Sequence, residues 1–197
     1  MMTALQDTGD EQPAPFVADE IETARLRLRM FTPEDLDAMC DIAADPEVIR
    51  YIGHGKPLTR AEVFYNITSI INGFRRRGFG RWAVVKKESG ALIGYCGLSL
   101  GNEGVGVELA YLLSRSEWDK GFATEAGRAS IRYGFERLKL DSIAALTRHE
   151  NSRSRRVMER LGMRYARAGQ YYGYSCVCYS ISRDEWRPDA SLFLVVT

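Results

Sequence analysis

Leu26-Arg27-Leu28-Arg29 alternates apolar and basic side chains with a period of two, which predicts a half-buried strand. Thr32-Pro33-Glu34-Asp35 then supplies a hydroxyl for an N-cap, a proline suited to the first helical position and acids for the positive end of the helix dipole. A helix is expected from there to residue 44, and Asp45-Pro46 is expected to start a short second turn. Thr59-Arg60-Ala61-Glu62 has the spacing of a capping box and predicts a helix running to Arg75-Arg76-Arg77-Gly78. Residues 81–87, 91–100 and 105–113 read as three strands joined by Ser89-Gly90 and Gly101-Asn102-Glu103-Gly104, the turn chemistry of an antiparallel meander. A helix is expected over 124–138, a strand over 142–147, a helix over 151–161 closed by Gly162, and strands over 163–168 and 174–181. Ser182-Arg183-Asp184-Glu185 carries cap residues for a last short helix. Strands and helices interleaved in this order predict an α/β fold, a mixed sheet with helices packed against it.

Residues 1–19 carry two prolines and few large apolar side chains, and read as a flexible tail ahead of one domain over 20–187. Residues 188–197 form an apolar tail through Leu192-Phe193-Leu194-Val195-Val196. It suits a sheet edge, a partner subunit in a homodimer, or packing on its own domain. The chain has 197 residues, 45% hydrophobic and 27% charged, enough for one sizeable core. Its 27 basic and 26 acidic residues leave a net charge of +1, so no global field favours nucleic acid or an anionic membrane as a partner. No apolar run approaches the roughly 18 residues of a membrane span, and residues 1–19 lack the basic-then-apolar order of a secretory signal. Cys40, Cys96, Cys176 and Cys178 have neither a disulfide framework's spacing nor a zinc site's, and read as buried free thiols of a cytoplasmic protein. With only His54 and His149, a His-rich metal centre is not expected.

The segment that carries chemistry runs from Val107-Glu108-Leu109-Ala110-Tyr111-Leu112-Leu113 through Ser114–Asp119 into Lys120-Gly121-Phe122-Ala123-Thr124-Glu125-Ala126. It is a strand, a short loop and a helix start. The free N–H groups and positive dipole end of a helix N-terminus bind phosphate, and Gly121 and Ala123 let a pyrophosphate approach the main chain. Lys120 adds a positive charge and Thr124 a hydroxyl.

Trp118 through Ala126 resembles the pyrophosphate motif of GNAT acetyltransferases. Tryptophan at the motif's first position, where Gln or Arg is usual, is similar to the ribosomal-protein N-terminal acetyltransferase branch. Asn151 through Met163 resembles the family's Asn-containing helix, and Ala44 through Ile52 the loop after the first helix in the same branch. The resemblance spans about residues 21–186. It implies the GNAT fold, a mixed and mostly antiparallel sheet flanked by helices, and acetyl-CoA as co-substrate for transfer to an amine acceptor. That acceptor is a protein N-terminus or a small molecule.

By that resemblance the main-chain N–H near Leu112 or Leu113 faces the acetyl carbonyl. Lys120, Gly121, Phe122, Ala123 and Thr124 hold the pyrophosphate, and Asn151 lies against the pantetheine arm with Ser154 and Arg156 nearby. The tyrosine that serves as general acid in many members falls at Met158, so Ser154 or Tyr111 becomes the substitute, or water. Tyr51, His54, Tyr171 and Tyr172 border the acceptor.

Glu108, in an otherwise apolar strand, is the candidate base, where burial raises a carboxyl toward useful values. It reads equally as a solvated residue or an arginine's partner. Gly121 and Ala123 also suit a tight turn, Asn151 a plain N-cap, and Tyr171 and Tyr172 exposed hairpin aromatics. Arg153, Arg155, Arg156 and Arg160 read as a solvated face or as contacts to a coenzyme phosphate. The missing tyrosine leaves room for a non-catalytic acyl-CoA sensor on the same fold. A module for a different nucleotide lacks a Walker lysine and a dinucleotide fingerprint.

Overall fold

Nine strands form one sheet in the order β7-β8-β6-β5-β4-β3-β2-β1-β9 in a computed structural model that describes residues 19–101 and 104–196. The strands are β1 (Glu20–Glu22), β2 (Leu26–Arg29), β3 (Arg81–Lys86), β4 (Leu92–Leu100), β5 (Val107–Leu113), β6 (Ser142–Arg148), β7 (Arg164–Tyr171), β8 (Tyr174–Ser182) and β9 (Leu194–Val196). Every neighbouring pair is antiparallel except β5 and β6. The helices are α1 (Leu36–Ala44), α2 (Pro46–Ile49), α3 (Arg60–Arg77), α4 (Phe122–Glu136) and α5 (Ser152–Arg160). This is the mixed, mostly antiparallel GNAT sheet flanked by helices that the resemblance implied. The reading of residues 1–18 as a tail, and residues 102–103 of the expected turn, lie outside the described residues.

The expected meander is β3-β4-β5. The capping box of α3 is present, with Thr59 Oγ1 accepting from Glu62 N–H and Glu62 reaching back to Thr59 N–H. Gly78 closes the helix at φ 76°, where a left-handed residue lets its N–H bond the Phe74 carbonyl. The core centres on the fully buried Trp82, which meets Phe74 of α3 and Tyr133 of α4 edge-on, at 5.5 and 5.0 Å between centroids. Its indole N–H donates to the Asp19 carbonyl.

Three expectations change. The helix expected at 182–185 is a single turn. Ser182 and Glu185 exchange hydrogen bonds as a cap would, but Pro188 follows too closely for a helix to propagate. α4 starts at Phe122 rather than 124, because Gly121 takes φ 83° and itself ends the loop. The first turn at Pro33–Asp35 is a 3-10 turn, with the Asp35 carboxylate held by both terminal nitrogens of Arg29 at 2.7 Å. The sheet also gains two three-residue strands, β1 and β9, at one end. The apolar C-terminal segment becomes β9 and pairs with β1 of its own chain, Ile21 opposite Val195.

No helix among the described residues is long and apolar enough to cross a membrane.

Candidate active site

The parallel pair β5–β6 touches at a single register position, Glu108 opposite Ala144. Beyond it the two strands separate, and a cleft of about 550 Å³ opens between them. Its walls come from β5, from the loop and first turn of α4, from β6 at Leu146 and Thr147, and from α5.

Antiparallel pairing alternates the direction of main-chain groups. Ser114 N–H bonds the Ile93 carbonyl of the β4 edge, and the register runs unbroken from Gly94–Leu113 to Leu100–Val107. The N–H of Leu112, two residues from Ser114, therefore points to β4, and those of Tyr111 and Leu113 point into the gap. Of the two expected donors, Leu113 is therefore the one on the gap side, while Leu112 still lines the cleft. The Leu113 carbonyl, on the gap side, accepts from the Trp118 indole at 2.8 Å. The unusual tryptophan at the head of the motif thus ties off the end of β5.

Gly121, Phe122, Ala123 and Thr124 line the cleft at the start of α4. Two left-handed residues, Asp119 at φ 60° and Gly121 at φ 83°, bend the loop back so that the helix opens toward the cavity. Lys120 does not line it: its ammonium pairs with Glu117 at 3.2 Å, and Glu117 also takes Lys86 at 3.5 Å. Opposite, Asn151 is both cap and cleft wall. Its Oδ1 accepts from Ser154 N–H at 3.2 Å and its Nδ2 donates to the buried Thr147 hydroxyl at 3.0 Å. Ser154 and Arg156 line the same wall. The Tyr111 hydroxyl crosses the gap to α5, donating to the Ser154 carbonyl at 3.0 Å and standing 2.8 Å from Ser154 Oγ. Burial pushes the Tyr111 phenol far above its ordinary value, so it keeps its proton. Met158, at the position of the family's tyrosine, is buried in the core.

Glu108 is partly buried on the cleft wall. Burial raises its carboxyl above the ordinary range, while hydrogen bonds with Tyr172 and Ser99 and the charge of Arg81 pull it part of the way back. Tyr51 and Tyr172 also line the cleft. Tyr172 and Gly173, at φ 53° and 79°, form the two-residue turn between β7 and β8. Tyr171 leaves the acceptor set: it is buried against Cys176 and Cys178, and its hydroxyl accepts from Arg167 at 2.7 Å. His54 also stays outside the cleft wall, exposed, with Nδ1 accepting from Lys56 N–H.

Two arginines brace the loop and the start of α4. Arg153 lies over the Trp118 ring at 4.9 Å and reaches Asp119, so it spans from α5 to the loop. Its helical arginine run was noted, but its aromatic partner lies 35 positions away by sequence. Arg25 grips Glu125 of α4 through Nε and its own N–H, and no motif announces it. The Glu125 carboxyl sits below its usual 4.5: burial opposes this, but the Thr23 hydroxyl and Arg25 outweigh it. With the folded value lowered, its ionised contacts stabilise the fold above about pH 4.5 and are lost as pH falls through the lowered value. The urea-stability gap between wild type and Glu125→Gln is accordingly expected to close on acidification below pH 4.5. A pH-independent gap would remove the carboxylate charge from the account.

An acetyltransferase (GNAT) domain model matches residues 25–164. An N-acetyltransferase of Bacillus licheniformis, p20, is 34% identical over 145 residues, covering 73% of this chain and 81% of the relative. The FsC-acetyl coenzyme A-N(2)-transacetylase of Aspergillus fumigatus is 28% identical over 184 residues, covering 84% and 77%. The crystal structure of a GNAT-family acetyltransferase from Bacillus anthracis shares the fold, with a TM-score of 0.73 at 24% identity over 84% of this chain and 99% of that one. The chain therefore belongs to the GNAT acetyltransferase family and is an acetyl-CoA-dependent N-acetyltransferase.

Proposed function

We propose that the chain moves the acetyl group of acetyl-CoA onto a primary amine, a protein N-terminus or a small-molecule amine, by direct attack of nitrogen on the thioester. The observation that carries this reading is the separation of β5 from β6 after Glu108 and Ala144, which leaves main-chain donors of β5 facing an open cleft. The pyrophosphate sits at the Gly121–Thr124 helix start and the pantetheine arm runs between β5 and Asn151. The N–H of Tyr111 or Leu113 receives the developing oxyanion. Glu108 takes the amine proton, directly or through a water. The Ser154 hydroxyl, backed by Tyr111, returns a proton to the leaving thiolate. Within the family we place the chain near the ribosomal-protein branch, on the Trp118–Ala126 motif and the Ala44–Ile52 loop.

A ligand at about a hundred times its dissociation constant stabilises a fold by about 2.7 kcal/mol, a rise of roughly 5–10 °C for a chain of this size. That rise is expected with acetyl-CoA and not with ATP or NAD, followed by thiol release when a panel of primary amines is added. No rise overturns the proposal, and a rise with ATP or NAD alone assigns the loop to another nucleotide. Met158, buried where an acid tyrosine stands in relatives by resemblance, leaves the proton for the thiolate to Ser154 and Tyr111.

A further inference from the structure

We propose that Arg25 is a positioning residue for the coenzyme, holding the phosphate-binding loop in the one orientation that presents its N–H groups. The inference rests on the reading of the α4 start as the pyrophosphate site.

Arg25 stands in the turn between β1 and β2, remote in sequence from the loop, yet it touches the loop in three ways. Its Nε donates to Glu125 at 2.6 Å, its NH1 donates to the Lys120 carbonyl at 3.0 Å, and its guanidinium lies over the Phe122 ring at 4.4 Å. An ion pair this exposed contributes little to stability by itself. The 120–121 peptide is planar and trans, so the Gly121 N–H points opposite to the Lys120 C=O. Arg25 lies on the wall of a second, separate cavity, and Gly121 lies on the walls of both. By fixing the carbonyl toward itself, Arg25 turns the Gly121 N–H toward the main cleft and keeps a carbonyl dipole from facing the pyrophosphate. It also neutralises Glu125, whose charge in the first turns of α4 opposes an anion there. The loop needs this restraint, because Asp119 at φ 60° is a left-handed residue without glycine's freedom. Lys120 itself turns away from the cleft to pair with Glu117.

The test is calorimetric titration of the full-length wild type, Arg25→Met and Arg25→Lys with CoA and with pantetheine, which lacks the pyrophosphate. Wild type is expected to bind CoA far more tightly than pantetheine. Arg25→Met is expected to weaken CoA roughly ten- to hundredfold, the usual effect of losing charge-assisted contacts, and to leave pantetheine unchanged. Arg25→Lys keeps the cation beside Glu125 but cannot fork to the Lys120 carbonyl. It is expected to lose part of the same preference, and it decides the matter if Arg25→Met does not fold. Equal loss for both ligands, or no loss, overturns the role of Arg25. A wild type without preference for CoA over pantetheine instead overturns the pyrophosphate reading of the α4 start.

Discussion

Replacing Glu108 with Gln is expected to lower kcat/KM by about 10²- to 10⁴-fold, the range that a positioned general base contributes. The amide keeps the shape and the hydrogen-bonding reach toward Tyr172 and Ser99, so the fold and coenzyme affinity should stay near wild type. What it loses is the ability to accept a proton. Burial lifts the Glu108 carboxyl above its ordinary range, against the opposing pull of Tyr172, Arg81 and Ser99. A base must be ionised to work, so the wild-type rate should climb as pH rises through that raised value and level off above it. In Glu108→Gln this limb should vanish, leaving only the titration of the amine itself. The measurement is a pH profile of kcat/KM for both proteins with one amine acceptor. An unchanged rate with the same limb would take Glu108 out of the chemistry and return it to the role of a partner for Arg81 and Tyr172. A variant with weakened CoA binding would instead point to damage of the cleft wall.

The parts of this site that are local in sequence were legible there. The Thr59–Glu62 capping box, the Gly121 helix start and the Asn151 cap each declare themselves within four residues, and side chains so close have few geometries to choose among. Pairings across the sheet were not legible. Arg25 reaches Glu125 and Tyr111 reaches Ser154 over separations of 100 and 43 residues. Period-two alternation also leaves open which neighbour receives a strand's main-chain groups. That choice hung on the Ser114–Ile93 bond, and it favours Leu113 over Leu112 as the donor and adds Tyr111. Adjacent tyrosines read alike as hairpin aromatics, yet the turn separates them. Tyr171 ends its strand facing the sheet, and Tyr172 turns left-handed at the cleft. β1 escaped because three residues carry no period, and the C-terminal tail, legible only as apolar, became β9 because β1, already paired with β2, offers it an edge.

Gly94 is the position where one added methyl should damage both the fold and the reaction. It lies opposite Leu113 in the β4–β5 ladder with φ 141°, where side chains are strained, and a Cβ built there would collide with the Leu112 carbonyl oxygen. That neighbour is backbone, so no rotamer change relieves the contact. β4 has already slipped register against β3 beside this point, between Val84 and Val85, so the strand cannot yield freely on its other side. Gly94→Ala is expected to cost about 2–5 kcal/mol, combining overpacking with a strained backbone. A surviving fold must push the Leu112–Leu113 peptide away from β4 and toward the gap. That peptide carries the Leu113 N–H, one of the two donors proposed for the acetyl carbonyl, and a displacement of about 1 Å there is expected to cost on the order of 10²-fold in rate. Urea unfolding and kcat/KM, both measured where the variant remains folded, should therefore fall together. A loss of stability with an unchanged rate would show that the Leu113 N–H is not aimed at the reacting carbonyl. It would move the oxyanion donor to Tyr111, one residue further from the collision.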